Sequence, residues 1–313
     1  MNYYFHDDVD GLTCSALFYD FIKTKGYKIG LIKPMSYGSS FYLRWQEISL
    51  KSPSVVLDFR YHPTADWFFD HHTSTFMRKD WQENFVSDEQ HFFDEKYPSC
   101  FGYVYDMLVK YYGFKPSERM KRLRPLVDML DSANYPSAKY YVMLEGDIAK
   151  FDILLEKLRK NNKIPHLFFI KALSNGDLNS ILKIKKYARI INKVKKEIRF
   201  SLASLSKILN VKSRVSLTDA TSFKTYLPRY SDYYLNSDLE YSITVKKSKD
   251  VYSVSVGKNP WSKLPSVLHL GRLQQAFGGG GHENAAGSEC ATYEEAIDRV
   301  NKIRASIIEA LNK

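Results

Sequence analysis

Three short apolar runs near the start of the chain each end in acidic or histidine residues. The first, residues 3–5, leads directly into an acidic turn, and a helical pattern over 12–22 follows. The second is β-branched, as buried parallel strands are, and ends at Asp58, while the third is aromatic and ends in Asp70-His71-His72. Ligands of open α/β sheets gather at the carboxyl ends of the strands. The sequence therefore predicts a parallel sheet whose edge brings these side chains into one crevice.

The acidic turn, His6-Asp7-Asp8-Val9-Asp10-Gly11, concentrates four side chains that can bind a metal within five residues. Without a counter-ion its carboxylates would repel one another, so the turn predicts a bound divalent cation. An aspartate at a helix start is also a common N-cap, which stabilises free N–H groups. Capping accounts for one aspartate, whereas His6, Asp8 and Asp10 together favour a metal site.

The triplet Asp70-His71-His72 follows an aromatic run that is typical of a buried strand. Successive strand residues point to opposite faces, so Asp70 and His72 are expected to share one direction and His71 the other. Where the strand ends in a loop this alternation relaxes, and several of the three can converge on one site. Taken alone, such a triplet is also compatible with a surface loop or with core histidines. The acidic turn and Asp58, which follow the other two apolar runs, favour a shared site over these alternatives.

Two amphipathic helices are expected next, over 97–112 and 118–130. Pro125 lies inside the second pattern and is expected to kink it or to split it in two. Near the end of this pattern Asp128 and Asp131 stand three residues apart and therefore share one helix face. Either could reach the crevice. We prefer Asp131 because it is nearer the helix end, and a solvated position is the alternative for the other acid.

The length and composition limit the kinds of protein that this chain can be. The 313 residues suffice for two ordinary domains, and an apolar content of 44% is typical of a globular chain. The net charge of +11 favours polyanionic partners such as nucleic acid, although a lysine-rich proteome would give the same balance. Three widely spaced cysteines fit neither a disulfide framework nor a CxxC metal site. With no signal-peptide pattern and no apolar run of about 20 residues, we expect a cytoplasmic protein without membrane contact.

The C-terminal half begins with a long basic amphipathic stretch over 179–209, which is expected to form a helix connecting two domains. β-rich runs follow at 214–217, 239–246 and 251–256, and a closing helix is expected over 292–311. The basic face of the connecting stretch is more often solvated than functional, but it could steer a polyanion. These patterns predict a smaller α/β domain with a mixed sheet.

A run of four glycines followed by His282 lies between an apolar segment and a stretch of small residues. Glycine lets the backbone approach an anion closely, and an imidazole adds a donor to a phosphate. A flexible linker is the alternative, but the apolar Phe277 before the run favours a packed loop. The expected substrate contacts are Gly279, Gly280, Gly281 and His282. Arg272 and Asn259 are weaker candidates, and Trp261 is expected either to stack on a base or to lie in the core.

Together these motifs resemble those of the DHH phosphoesterase superfamily. The acidic turn resembles its first motif, Asp58 the acid of the second, Asp70-His71-His72 the signature, and Asp131 the fourth acid. The glycine run with its histidine resembles the GGGH signature of the DHH-associated C-terminal domain. The resemblance covers nearly the whole chain, with its motifs in the expected order. It implies a DHH domain over 1–178, a connecting helix over 179–209 and a substrate-binding domain over 210–313.

The resemblance also implies two divalent metal ions, usually Mn²⁺, with Mg²⁺ or Co²⁺ as alternatives. The implied ligands are His6 and Asp8 for one ion, Asp10, His71 and Asp131 for the other, and Asp58 as the bridge. The residue types agree, since carboxylates with a minority of imidazoles suit Mn²⁺ or Mg²⁺. His72 is then expected to contact the phosphate, and Asp70 to orient an imidazole.

The function that the resemblance implies is two-metal hydrolysis of short oligonucleotides or nucleotide phosphates in a cleft between the domains. The compact size resembles the nanoRNase/oligoribonuclease branch, some members of which also cleave 3′-phosphoadenosine 5′-phosphate. A cyclic-dinucleotide phosphodiesterase and a RecJ-like single-strand exonuclease are the alternatives within the family, and an inorganic pyrophosphatase is less favoured. A nucleotide- or nucleic-acid-binding module without catalysis is the non-enzyme alternative, against which the complete ligand set argues. A homodimer is compatible with the sequence.

Overall fold

The chain forms two compact units. A computed structural model describes residues 1–36, 44–161, 163–248, 251–281 and 283–313. The first unit comprises Met1–Asn134 and Gly146–Ile191, and the second comprises Tyr135–Glu145 and Asn192–Lys313. The domain division at 178 and 209 stays a prediction. None of the helices in the described ranges is both long and apolar enough to cross a membrane.

The first unit is built on a five-stranded sheet in which every neighbouring pair is parallel. In spatial order the strands are β2 (Ile32–Met35), β1 (Asn2–His6), β3 (Ser54–Leu57), β4 (Trp67–Asp70) and β5 (His91–Phe93). The helices are Val9–Lys23, Lys79–Glu83, Cys100–Tyr112, Glu118–Asp131, Asp147–Arg159, His166–Asn175 and Leu178–Leu182, with a 3₁₀ turn at Trp45–Glu47. This arrangement confirms the predicted α/β class with a parallel sheet.

The pairing register places the predicted site residues next to one another. Strand β3 is buried along its whole length, as its β-branched sequence predicts for a strand covered on both faces. Leu57 at its end pairs with Phe5 of β1 on one side and with Phe69 of β4 on the other. One residue further along each of these strands stands an acid or a histidine. These three residues are therefore neighbours at the carboxyl edge of the sheet.

Two element boundaries differ from the sequence prediction. The sequence Lys-Ile-Gly-Leu-Ile-Lys over 28–33 also predicts a strand, but the strand begins only at Ile32, where pairing with β1 starts opposite Tyr3. The helix expected from residue 97 begins at Cys100, since the Ser99 side chain accepts a hydrogen bond from a backbone N–H of the first turn and caps it there.

Of two further predicted helices, one is continuous and the other is divided. The helix Glu118–Asp131 continues through Pro125 without being split. Packing of its apolar face offsets the one hydrogen bond that a proline cannot make. The basic stretch over 179–209 is divided between a short helix, Leu178–Leu182, and a long one, Lys185–Ile208. The long helix starts in the first unit and ends in the second.

The second unit contains a six-stranded mixed sheet in the spatial order β10-β11-β9-β8-β7-β6. The strands are β6 (Asn210–Lys212), β7 (Val215–Asp219), β8 (Tyr241–Ser248), β9 (Val251–Lys258), β10 (Gly280–Gly281) and β11 (Ala285–Cys290), and the other helices are Ala138–Val142, Ser231–Leu235, Leu270–Gln275 and Tyr293–Leu311. Strands β7 and β8 pair in parallel, and the remaining pairs are antiparallel. The closing helix packs Val300, Ile303 and Ile307 into the core of this unit, each contributing about 1.5–3 kcal/mol on full burial. The predicted α/β domain with a mixed sheet is confirmed.

Candidate metal centre

The acidic turn after β1 places two polar side chains at the edge of the sheet. His6 is the last residue of β1, and Asp8 is the N-cap of the helix Val9–Lys23. Oδ1 of Asp8 accepts a hydrogen bond from the backbone N–H of Gly11 at 3.0 Å, while Oδ2 lies 2.8 Å from Nδ1 of His6. Capping therefore occupies one oxygen of Asp8 and leaves the other directed at the histidine. Glycine is required at position 11, because a Cβ there would lie 2.2 Å from the carbonyl oxygen of His6.

Asp10 lies in the first turn of the same helix and is only 1% exposed. Its carboxylate accepts hydrogen bonds from the backbone N–H groups of Cys100 at 2.7 Å and Phe101 at 2.9 Å. These groups open the helix Cys100–Tyr112, whose N-terminal dipole favours negative charge. Burial nevertheless raises the pKa of Asp10 to about 7, and the charge of Asp131 adds to the effect.

Asp58 follows β3 and lies at the centre of the site. It is 1% exposed, yet neither carboxylate oxygen accepts a hydrogen bond from any part of the chain that the structure describes. Oδ2 lies 3.6 Å from Nδ1 of His6, and Oδ1 lies 3.7 Å from Nε2 of His71 and 3.6 Å from Nδ1 of His72. Its φ of 57° is a left-handed value that side-chain-bearing residues rarely adopt outside turns and functional sites. Burial, followed by the charges of the neighbouring aspartates, raises the pKa of Asp58 well above its usual range.

His71 joins the two ends of the cluster. Its Nδ1 lies 3.0 Å from the carbonyl oxygen of Tyr97, and because a carbonyl only accepts, Nδ1 carries a proton. Its Nε2 faces the carboxylates of Asp131 at 3.2 Å, Asp10 at 3.7 Å and Asp58 at 3.7 Å. Burial opposes the charged form, but hydrogen bonding and charge from Asp131 outweigh it and raise the pKa of His71 to about 11. The imidazolium is thus a counter-ion for the acids, and a metal cation bound at Nε2 would have to displace its proton.

Asp70 and His72 form a second layer beside the cluster. Strand β4 ends at Asp70, which is fully buried, and its Oδ1 lies 2.7 Å from Nδ1 of His72. The same carboxylate accepts hydrogen bonds from the backbone N–H of His71 at 2.8 Å and from the hydroxyl of Thr75. Burial opposes ionisation, but the charge of His72 and the hydrogen bonds from the side chains of His72 and Thr75 lower the pKa of Asp70. The ionised carboxylate therefore fixes the ring of His72, and the two adjacent imidazoles lie 4.6 Å apart between ring centroids.

The structure brings Asp131 rather than Asp128 into the cluster. Asp131 is the last residue of its helix and reaches His71. The Asp128 carboxylate instead accepts a hydrogen bond from the Ser99 hydroxyl at 2.5 Å and lies 3.7 Å from Nε of Arg124. Asp128 therefore ties its helix to the start of the helix Cys100–Tyr112.

Three sets of side chains in the described ranges have donor atoms within 4.8 Å of one another: His6, Asp8 and Asp58; Asp10, His71 and Asp131; and Asp58, His71 and His72. The first two sets are those implied by the family resemblance, and Asp58 adjoins both. A buried carboxylate without a hydrogen bond is costly unless a cation compensates it. Oxygen donors with a few imidazoles are also what Mn²⁺ and Mg²⁺ prefer, so the donor set fits a pair of divalent cations.

Arg159 and His166 are two residues at the site that the sequence analysis missed. The Asp7 carboxylate lies 2.8 Å from Nε2 of His166 and 3.2 Å from Nε of Arg159, and the Arg159 guanidinium also donates to the Asp7 backbone carbonyl. These contacts fasten the turn between His6 and Asp8. They join residues more than 150 positions apart, so no local pattern announces them.

In the second unit the glycine run packs against β11 rather than forming an open linker. Gly280 and Gly281 pair with Gly287 and Ala286 as a two-residue strand. A Cβ on Gly279 would lie 2.2 Å from the carbonyl oxygen of Gly287, whereas a Cβ on Gly280 would meet no atom within 4 Å. His282 lies outside the described residues. A role of this run in substrate binding stays a prediction.

The weaker substrate-binding candidates differ in their exposure. Arg272 is exposed on the helix Leu270–Gln275. Asn259 is buried, and its amide donates to the carbonyl oxygen of Leu239 at 2.7 Å and accepts from the backbone N–H of Trp261 at 3.0 Å. Its side chain thus stabilises the loop itself. The indole of Trp261 donates to a backbone carbonyl at 2.7 Å and packs against buried residues of the second unit.

Comparison by sequence gives no relative: no protein-family model matches the chain, and no curated protein matches it. Comparison by structure gives several. A pGpG-specific phosphodiesterase, PggH from Vibrio cholerae, superimposes with a TM-score of 0.71 at 18% identity, covering 99% of this chain and 98% of that one. An exopolyphosphatase-related protein from Bacteroides fragilis gives a TM-score of 0.52 at 13% identity, covering 100% and 93%.

A third structure is RecJ from Thermus thermophilus in complex with Mn²⁺. It gives a TM-score of 0.56 at 12% identity and covers 97% of this chain. This chain spans about half of that protein, 52% of its length. At these identities the similarity establishes the fold, and the fold is shared along the whole chain with the first two structures.

Proposed function

Because the chain has the DHH phosphoesterase fold, we propose that it is a divalent-metal-dependent phosphodiesterase that hydrolyses short oligonucleotides. The observation that carries the proposal is Asp58, a buried carboxylate that accepts no hydrogen bond from the described residues and lies between two sets of side chains able to bind a metal. Such an arrangement is costly unless a cation compensates it, which favours a metal-dependent enzyme over a module that only binds nucleotides. Two divalent cations would compensate it and would serve phosphoester hydrolysis.

The two cations, proposed as Mn²⁺, would share the ligands as follows: His6, Asp8 and Asp58 for one, and Asp10, His71 and Asp131 for the other, with Asp58 adjoining both. When bound, they supply Lewis acidity and activate water for attack on phosphorus. His71 enters its ligand set through Nε2, because Tyr97 engages Nδ1.

The remaining residues of the site would handle the substrate. The buried carboxylate of Asp70 engages Nδ1 of His72 and so sets the orientation of the ring. Its Nε2 edge would then contact a phosphate oxygen and stabilise the charge that develops there. Arg159 and His166 would act through Asp7 by fixing the turn that carries His6 and Asp8.

A short linear oligonucleotide is the substrate class that we favour. One of the structures that this chain matches over nearly its full length is named for its action on pGpG, which is a linear dinucleotide. The similarity to RecJ involves only about half of that protein. The positive net charge of the chain also suits a polyanionic substrate.

The test is hydrolysis of 5′-labelled dinucleotides to pentanucleotides, a 20-mer of RNA or DNA, a cyclic dinucleotide and 3′-phosphoadenosine 5′-phosphate, each with Mn²⁺ and with EDTA. We expect cleavage of the shortest linear oligomers and its loss in EDTA. Asp131→Asn is expected to remove activity by about two orders of magnitude or more, whereas the matched variant Asp128→Asn, three residues away on the same helix, keeps it. Cleavage of the 20-mer alone would move the protein to the exonuclease class. Inactivity of the wild type on every substrate would refute the proposal.

A further inference from the structure

The long helix Lys185–Ile208 carries a basic surface in the second unit that the proposed catalysis does not use. Four basic residues occur within seven positions, and all four are exposed: Lys193, Lys195, Lys196 and Arg199. The segment contains one acid, Glu197, which lies 4.0 Å from Lys193. In the described part of the chain the other three cations form no ion pair within 4 Å. The local charge is therefore not neutralised by the helix itself.

The orientation of this helix is fixed by its apolar side. Val194, Ile198, Leu202 and Leu205 are all less than 10% exposed and pack inside the protein. They recur three or four positions apart, as the buried face of a helix requires. The basic residues must therefore face solvent. An amphipathic helix that binds membranes needs a free apolar face, and here that face is already occupied.

Phe200 interrupts the basic surface with an aromatic ring that is 71% exposed. It stands four positions after Lys196 and seven after Lys193, so the three residues share one helix face. They extend over about 10 Å at 1.5 Å per residue, comparable to three stacked nucleotides at about 3.4 Å each. Cations beside an exposed aromatic ring are the usual elements of single-strand binding surfaces, where phosphates meet the charges and a base stacks on the ring.

We propose that this surface, defined by Lys193, Lys196, Arg199 and Phe200, binds single-stranded nucleic acid. The three cations contact phosphates, and the phenyl ring stacks on a base. The ring separates nucleic acid from other polyanions, because polyphosphate and lipid headgroups have no base to stack. None of these four residues is a candidate metal ligand, so binding does not depend on hydrolysis.

The experiment measures binding of the full-length protein to a fluorescently labelled 12-mer of uridylate by anisotropy, in EDTA and at increasing KCl. The triple variant Lys193→Gln/Lys196→Gln/Arg199→Gln is expected to reduce the slope of log K against log[salt] by about 2, at about 0.7 per lost phosphate contact. Affinity at 0.1 M salt should then fall about 100-fold. Phe200→Ala is expected to weaken binding about tenfold, and Phe200→Trp to restore it.

The control is Lys79→Gln/Lys302→Gln/Lys313→Gln, which removes the same charge from exposed lysines elsewhere and should change affinity less than threefold. Both triple variants should cleave the dinucleotide substrate at the wild-type rate, which separates this surface from the proposed active site. Equal loss of binding in both triple variants would overturn the proposal, as would binding without salt dependence. Wild-type binding to phosphatidylserine vesicles or polyphosphate but not to the 12-mer would also overturn it.

Discussion

Replacing Asp58 by asparagine distinguishes the effect of its carboxylate on the stability of the metal-free protein from its role in metal binding. Without metal, the Asp58 carboxylate is buried, accepts no hydrogen bond within the described ranges and faces like charges. An uncharged amide of the same shape removes the like-charge repulsion and adds a hydrogen-bond donor that the carboxylate lacks. We therefore expect the metal-free Asp58→Asn variant to be more stable than the wild type, although it lacks the residue that adjoins both ligand sets.

The size of this effect follows from the burial. Leaving a buried polar group without a partner costs about 1–3 kcal/mol. For a unit of this size each kcal/mol shifts the melting temperature by about 2–4 °C, so a gain of about 4–8 °C is expected for 2 kcal/mol. The pKa of Asp58 is higher in the folded protein than in the unfolded chain. Its destabilising contribution is therefore present above the unfolded pKa of about 3.9 and disappears as the pH falls towards that value. The gain should therefore shrink towards pH 4.

The assay is thermal unfolding in EDTA and in a Mn²⁺ titration. Mn²⁺ at 100 times its dissociation constant is expected to stabilise the wild type by about 2.7 kcal/mol, and the Asp58→Asn variant should lose most of this stabilisation. Asp66 provides the matched control, since its carboxylate accepts hydrogen bonds from the backbone N–H and hydroxyl of Ser54 at 2.7 and 2.8 Å. Asp66→Asn should lower the melting temperature and keep the Mn²⁺ shift. A metal-free Asp58→Asn protein that is less stable than wild type, yet equally stabilised by Mn²⁺, would refute the reasoning.

Four further outcomes are expected. Arg159→Gln should weaken Mn²⁺ binding about tenfold in calorimetry because the turn loses its fastening, Arg159→Lys should restore part of it, and unchanged affinity in Arg159→Gln would contradict the role. Asp70→Asn should lower kcat about 10–100-fold at saturating Mn²⁺ with KM little changed, since the His72 ring loses its orientation; equal kcat would count against this. Metal binding should strengthen as the pH rises through 7 and release protons, because Asp10 with a pKa of about 7 and His71 with a pKa of about 11 must both deprotonate; calorimetry in buffers of different ionisation enthalpy checks it. Gly11→Ala should cost about 1–3 kcal/mol in chemical denaturation, since its Cβ cannot fit beside the His6 carbonyl, and a neutral result would show that the turn can shift.

Several features of the site were accessible from sequence because they are local. The acidic turn, Asp58 and the Asp-His-His triplet each follow an apolar run of strand length, and strand ends of a parallel sheet share one edge. The α/β class and the mixed second sheet follow from the same alternation of patterns. These predictions needed only the order of apolar and polar residues along the chain.

Other features depended on packing. Which of Asp128 and Asp131 lies in the cluster depends on Ser99, which is 29 positions from Asp128 along the chain and donates its hydroxyl to that carboxylate. The left-handed backbone of Asp58 was equally inaccessible, since nothing in the sequence requires it.

The sequence by itself determined which side chains reach the carboxyl edge of the first sheet, because a strand pattern sets where each strand ends. Only the tertiary structure decided how they meet. The pairing of Leu57 with Phe5 and Phe69 sets their order along the edge, and the contacts of Asp7 with Arg159 and His166 hold the turn in place. Register and long-range hydrogen bonds arise from packing between segments distant in the chain, so they leave no local signature in either segment.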